Sequence, residues 1–326
     1  MKNIVLTLMV ATMLFSCADN NEATGILAEA PFAPLTDSLQ QQPQDAGLYY
    51  RRGSLLYQAN HKALAQADLQ QAWRLQPTEA HALSVVTVLA EKNADSAIRF
   101  INTALQTLPN SVALQMALAR GYQQKEDSKA AIEVCNNILA QHPNSLDALL
   151  LKAELLKDAG NNTEALATLE KAYSYAPFDA PLAYNLAFEY AEAKNSKALA
   201  LCDSLIRMDA SEKHAEPYYI KGVYYQNMGN EAQAIQLYDQ AIQHDYNFLD
   251  AYMDKGRILY NQKRYAEALK TFNLPVTITP TYADAYYWMG RCQEALNQKA
   301  EAKQNYQRAY SLDKSLTEAK EAADKL

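Results

Sequence analysis

Glycine is scarce in this chain, with nine in 326 residues, and that leaves little of the turn chemistry a sheet protein needs. There is no block of lysine and arginine, and the formal charge is −7. A phosphate-backbone partner is therefore excluded, and no nucleic acid is expected. The four cysteines do not act as a set. Cys17 closes a targeting segment, while Cys135, Cys202 and Cys292 lie far apart, with no CxxC and no neighbouring histidine cluster. Three left over make no disulfide framework, so these three read as small buried apolar residues. The five histidines, His61, His81, His142, His214 and His244, are scattered. No phosphate-binding glycine loop, HExxH, GxSxG or calcium-loop pattern occurs. The expectation is no catalytic residue, no metal, no cofactor and no enzyme activity. What is abundant is alanine, leucine, glutamine and tyrosine, with 49% hydrophobic and 21% charged residues overall. That mixture belongs to a folded, helical protein.

The chain opens Met-Lys-Asn, followed by an apolar run from Ile4 to Phe15 and then Ser16 and Cys17. One lysine and about a dozen apolar residues describe a secretory signal over residues 1–16, too short to span a bilayer comfortably. Leu14-Phe15-Ser16-Cys17 resembles the lipobox of bacterial lipoproteins. The resemblance implies cleavage before Cys17, lipidation of its sulfur and acylation of the new amino terminus. Attachment then needs no transmembrane helix, since each buried methylene contributes about 0.8 kcal/mol. The default location is the outer membrane, lipid-anchored and facing the periplasm. Asp19 and Glu22 after the cysteine look like sparse versions of the surface-export signals of Bacteroidetes lipoproteins, which keeps the cell surface open.

Residues 17–45 read as the lipidated cysteine and a flexible linker, on the strength of Pro31, Pro34, Pro43 and the run Gln40 to Gln42. Such a tether reaches roughly 30 Å. Asp37-Ser38-Leu39 within it resembles the short O-glycosylation motif of Bacteroidetes, which makes Ser38 a candidate glycan acceptor.

Beyond the linker the sequence repeats. Pro77, Pro109, Pro143 and Pro177 are separated by 32, 34 and 34 residues, and Pro280 follows 103 residues later, three repeats on. Gly222, Ala234, Tyr238 and Ala241 share their spacing with Gly256, Ala268, Phe272 and Pro275, and with Gly290, Ala302, Tyr306 and Ala309. Tyr218-x-x-Lys221-Gly222-x-x-Tyr225 matches the leading signature of the tetratricopeptide repeat, and Tyr286-Tyr-Trp-Met289-Gly290 is close to it. The chain is similar to that family over about residues 46–316. The resemblance implies an all-α fold: a right-handed α-solenoid of about eight helix-turn-helix hairpins. They start near Ala46, Ala80, Val112, Leu146, Ala180, Ala215, Leu249 and Ala283. The second is two residues short in its inner turn. In the fifth, Ala198, Cys202 and Leu205 sit one residue early, and Met208 to His214 replaces the proline. Residues 317–326 read as a capping helix.

In this family the first helix of each hairpin lines a concave surface. The resemblance places Tyr50, Tyr57, Met116, Arg120, Tyr184, Phe188, Tyr219, Arg257, Tyr260, Tyr287 and Arg291 there. Tyrosine and arginine are favoured at binding hot spots, and Arg257 and Arg291 suit a carboxylate or acidic peptide. The lysine and asparagine set that clamps chaperone tails in some members is missing: Tyr50 with Ser54 and Tyr219 with Val223 stand in its place. The expected function is a membrane-tethered scaffold or adaptor that gathers other envelope proteins or peptides. The alternative is an accessory lipoprotein of glycan or nutrient uptake, binding a saccharide or peptide on the same tyrosine-rich face.

Overall fold

The structure, a computed structural model, describes residues 25–208 and 214–326. Cys17 and the signal segment lie outside the described residues. The described chain is helical throughout, with no strand. After a helical turn at residues 25–27 come α1 (Ala33–Gln41) and then eight hairpins. These pair α2 (Ala46–Gln58) with α3 (Lys62–Leu75), α4 (Glu79–Lys92) with α5 (Ala94–Thr107), and α6 (Val112–Gln124) with α7 (Ser128–Gln141). Next come α8 (Leu146–Asp158) and α9 (Asn162–Tyr175), then α10 (Ala180–Glu192) and α11 (Lys197–Met208). The last three hairpins are α12 (Glu216–Asn227) with α13 (Glu231–His244), α14 (Leu249–Asn261) with α15 (Tyr265–Ile278), and α16 (Ala283–Ala295) with α17 (Lys299–Leu312). A final helix, α18 (Thr317–Lys325), covers α17. The helices group into two compact units that divide after Ala165, inside α9.

Within each unit, helices pack on their chain neighbours, as α2 does on α3 and α16 on α17, because no single hairpin can bury its apolar face alone. The inner turns explain the scarcity of glycine. Seven of the eight first helices close with one residue in the left-handed region: Asn60, Glu126, Lys194, Lys263 and Asn297 take that conformation, and glycine does so only at Gly160 and Gly229. The strain is tolerated because two orphan carbonyls are satisfied there, as when Asn60 N–H donates to Tyr57 O and His61 N–H to Leu56 O. In the second hairpin the inner turn shrinks to Asn93 alone, whose side chain accepts from Ser96 N–H at 2.7 Å to start α5. Elsewhere Asp45, Thr78, Ser111, Asp127, Asp179 and Asn230 cap helix starts in the same way.

Helix-to-helix contact inside a hairpin depends on small residues. A Cβ added at Gly290 would lie 2.7 Å from a ring carbon of Tyr306, which is fully buried against it. Gly222 and Gly256 face Tyr238 and Phe272 in the same way. Ala198, Cys202 and Leu205 are buried as their counterparts in other hairpins are, so α11 absorbs its one-residue shift without exposing its apolar side.

The linker expectation is corrected from residue 25 onward. Phe32 and Leu39 are buried, and Phe32 meets the His61 ring edge-on at 5.9 Å. Thr36 Oγ1 donates to Leu27 O at 2.9 Å and accepts from Arg52 Nη1 at 3.0 Å, fastening α1 to the first hairpin. Pro34 sits in the first turn of α1, where its missing N–H costs no hydrogen bond. Ser38 is accordingly inside a helix, its Oγ donating to Pro34 O at 2.8 Å, and not in an extended acceptor segment.

Candidate functional site

First helices carry all the residues expected on the binding face, and their surroundings differ between the two units. In the first unit Tyr50 tilts against His81 at 5.1 Å, and the Tyr57 hydroxyl donates to Glu91, so both rings brace one hairpin against the next. Met116 is half-buried beside the cluster of Ala119 and Cys135, while Arg120 is exposed.

In the second unit the expected residues converge. Tyr184 tilts towards His214 at 6.3 Å, and Phe188 stacks on Tyr219 at 6.5 Å. Tyr219 also meets Phe248 at 5.0 Å and donates its hydroxyl to Asp254 Oδ2 at 2.9 Å. Arg257 donates to the other oxygen of Asp254 at 2.8 Å, so this arginine is committed within the chain. Burial, and then the charge of Asp254, push the Tyr219 phenol well above its usual range. The neighbouring Asp250 carboxyl is raised as well, by removal from water first and by Asp254 second, with Arg257 opposing.

One repeat further on, Arg291 is held differently. Its guanidinium carbon lies 4.8 Å from the ring centroids of both Tyr260 and Trp288, and 5.9 Å from that of Tyr287. Arg257 approaches the same Trp288 at 5.7 Å. Trp288 is fixed in turn by Tyr260 edge-on at 5.4 Å and by Phe272 stacked at 5.6 Å. Arg291 has no ion pair among the described residues, so its charge is oriented by aromatic faces alone.

Sequence reasoning missed Trp288, Asp254 and Phe248 as members of this cluster. Trp288 stands inside the Tyr286–Gly290 motif, next to Tyr287, the residue that the repeat spacing places on the face. Asp254 lies three residues before Arg257, a spacing that places two side chains on one helix face and was the available signal.

Cys135, Cys202 and Cys292 are all buried free thiols, and burial pushes them up to about 11, about 12 and about 12. So raised, a thiol is a poor nucleophile and metal ligand. No group of three or more histidine, cysteine, aspartate or glutamate side chains among the described residues could hold a metal. Nor is any described helix long and apolar enough to cross a membrane.

Comparison with known proteins agrees with this geometry. Sequence models of the tetratricopeptide repeat match residues 88–155, 122–187, 219–283 and 283–316, together more than half of the chain. A curated relative, cellulose synthase operon protein C of Pseudomonas fluorescens (strain SBW25), is 27% identical over 169 residues, 51% of this chain. That match spans only 13% of the relative's length. A crystal structure of a tetratricopeptide repeat protein from Parabacteroides merdae superposes with a TM-score of 0.59 at 17% identity. It covers 75% of this chain and 97% of its own, a likeness that bears on the fold alone. On the repeat matches, the hairpin count and the glycine-to-ring packing, the chain belongs to the tetratricopeptide repeat family.

Proposed function

We propose that this protein is a scaffold held at the bacterial outer membrane by lipid on Cys17, and that it gathers envelope proteins or peptides on the first-helix face of its later hairpins. Repeats of this family generally mediate protein–protein interaction, and no catalytic constellation is proposed. The observation that carries the reading is Arg291, a cation oriented by Tyr260, Trp288 and Tyr287 and left without an acidic partner. Aromatic and arginine side chains held this rigidly lose little entropy on binding, so they make effective anchors.

Cross-linking in native membranes tests it. A partner captured reproducibly by wild type is expected to fall at least tenfold with Arg291→Gln combined with Tyr287→Ala. That loss is about 1.4 kcal/mol or more. Failure to capture any reproducible partner sinks the scaffold reading, and capture that is indifferent to both changes sinks the assigned face.

The anchor has its own assay. Cys17→Ser is expected to move the chain from the membrane fraction to the soluble one, and intact-mass measurement of the wild type should show the acyl chains. Retention of the serine variant in the membrane would remove the anchor from the proposal.

A further inference from the structure

We propose that the fifth hairpin carries an open socket for an aromatic side chain, tyrosine or phenylalanine, presented by a partner polypeptide. This deepens the protein-binding reading and rests on it. The argument comes from the repeat itself. In hairpins six, seven and eight the residue four before the packing glycine is a tyrosine: Tyr218, Tyr252 and Tyr286. Between them these rings meet residues just before their hairpin and residues of its second helix. Tyr218 stacks on His244 with centroids 4.4 Å apart. Tyr252 meets Tyr246 edge-on at 6.0 Å. Tyr286 donates to Pro280 O at 3.2 Å and lies 5.8 Å from the Arg308 guanidinium.

In the fifth hairpin Ala187 stands in the place of the glycine, and the residue four before it is Ala183. The ring is missing, and a cavity of about 380 Å³ occupies its place. Pro177, Ser204 and Met208 are among its walls. Pro177 is the counterpart of Tyr246 and Pro280. Once the one-residue shift of α11 is counted, Ser204 is the counterpart of Arg308 and Met208 that of His244. The cavity is therefore lined at positions whose counterparts, taken across the three later hairpins, meet a tyrosine ring, and those walls specify the shape of its occupant.

Two further observations open the site to a partner. Phe178 and Met208, both lining residues, are 84% and 58% exposed. Single apolar residues at a surface need no explanation, but two at the mouth of an apolar cavity mark a contact site. Tyr184, on the cavity wall, precedes Phe188 by one helical turn, and Phe188 stacks on Tyr219. The socket is thus continuous with the aromatic row of the binding face.

The test uses the full chain with its methionine methyl groups carbon-13 labelled, titrated with N-acetyltyrosinamide and, as control, N-acetylalaninamide. The tyrosine probe is expected to shift the Met208 methyl resonance with millimolar saturation, and the alanine probe to leave it in place. Ala183→Tyr, which supplies the ring from within as the later hairpins do, should weaken the tyrosine probe at least tenfold. Phe178→Ala, a change at a side chain too exposed to hold the fold, should weaken it severalfold, so the socket stays testable even if Ala183→Tyr does not fold. A Met208 resonance unmoved by the tyrosine probe overturns the socket. Equal saturation in wild type and folded Ala183→Tyr overturns it too. Loss of the socket in this titration leaves the membrane cross-linking of wild type unchanged, whereas failure of the scaffold reading appears in the cross-linking alone.

Discussion

Asp68→Ala is expected to destabilise the start of the array by about 3–5 kcal/mol. Arg52 Nε and Nη2 grip the two carboxylate oxygens of Asp68 at 2.6 and 2.8 Å, and the two side chains are only 10% and 9% exposed. Removing the carboxylate leaves a guanidinium out of water with Thr36 as its remaining hydrogen-bond partner, and that is costlier than losing both charges together. The double variant Arg52→Met with Asp68→Leu should therefore recover most of the loss. Hydrogen exchange is the appropriate measurement, because a repeat array opens in segments and a single unfolding free energy is ill-defined. Faster exchange is expected in α1, α2 and α3, with α15 to α18 unchanged. If the single and double variants exchange alike, the pair is a surface-like contact and the argument fails.

Phe272→Ala is expected to cost about 3–5 kcal/mol at the seventh hairpin. The ring is fully buried, packs over Gly256 and stacks on Trp288, so its loss opens a cavity and frees the indole beneath Arg257 and Arg291. A second substitution separates packing from composition. In wild type, Gly256→Ala drives a methyl into the Phe272 ring and should destabilise by about 1–3 kcal/mol despite alanine's better helix propensity. In the Phe272→Ala background the same methyl enters the vacated space and should stabilise. Exchange rates in α14 to α16 report both signs, and a methyl that destabilises in both backgrounds refutes the close-approach account.

The array was legible because its packing is local and periodic. Proline and glycine phase, with alanine twelve residues after the glycine, located eight hairpins and the short inner turn at Asn93. The same attention to proline obscured α1. Phe32, Leu35, Thr36 and Leu39 follow a helical spacing, and Phe32 and Leu39 are buried, but Pro31, Pro34 and Pro43 read as breakers when they flank a helix or sit in its first turn. The surroundings of the face residues were less legible. That Arg257 is tied to Asp254 while Arg291 rests on aromatic faces depends on rotamers and on neighbours a repeat away, which spacing does not specify. The Ala183 cavity was invisible for a related reason. An alanine in a helix reads as a good helix former, and only the rings at Tyr218, Tyr252 and Tyr286 reveal the space it leaves.

The docking of α1 also sets how far the array can stand off from a bilayer. If Cys17 is the lipid-bearing residue, only the eight steps from Cys17 to Gly25 separate the anchored sulfur from the described fold. Even at full extension they span no more than about 29 Å. A leash that ran to Ala46 would allow about three and a half times as much. The protein would then meet partners in the layer next to the membrane, so lipoproteins and the exposed ends of membrane-embedded proteins would encounter it at a high local concentration, while a partner deeper in the compartment would have to come to it.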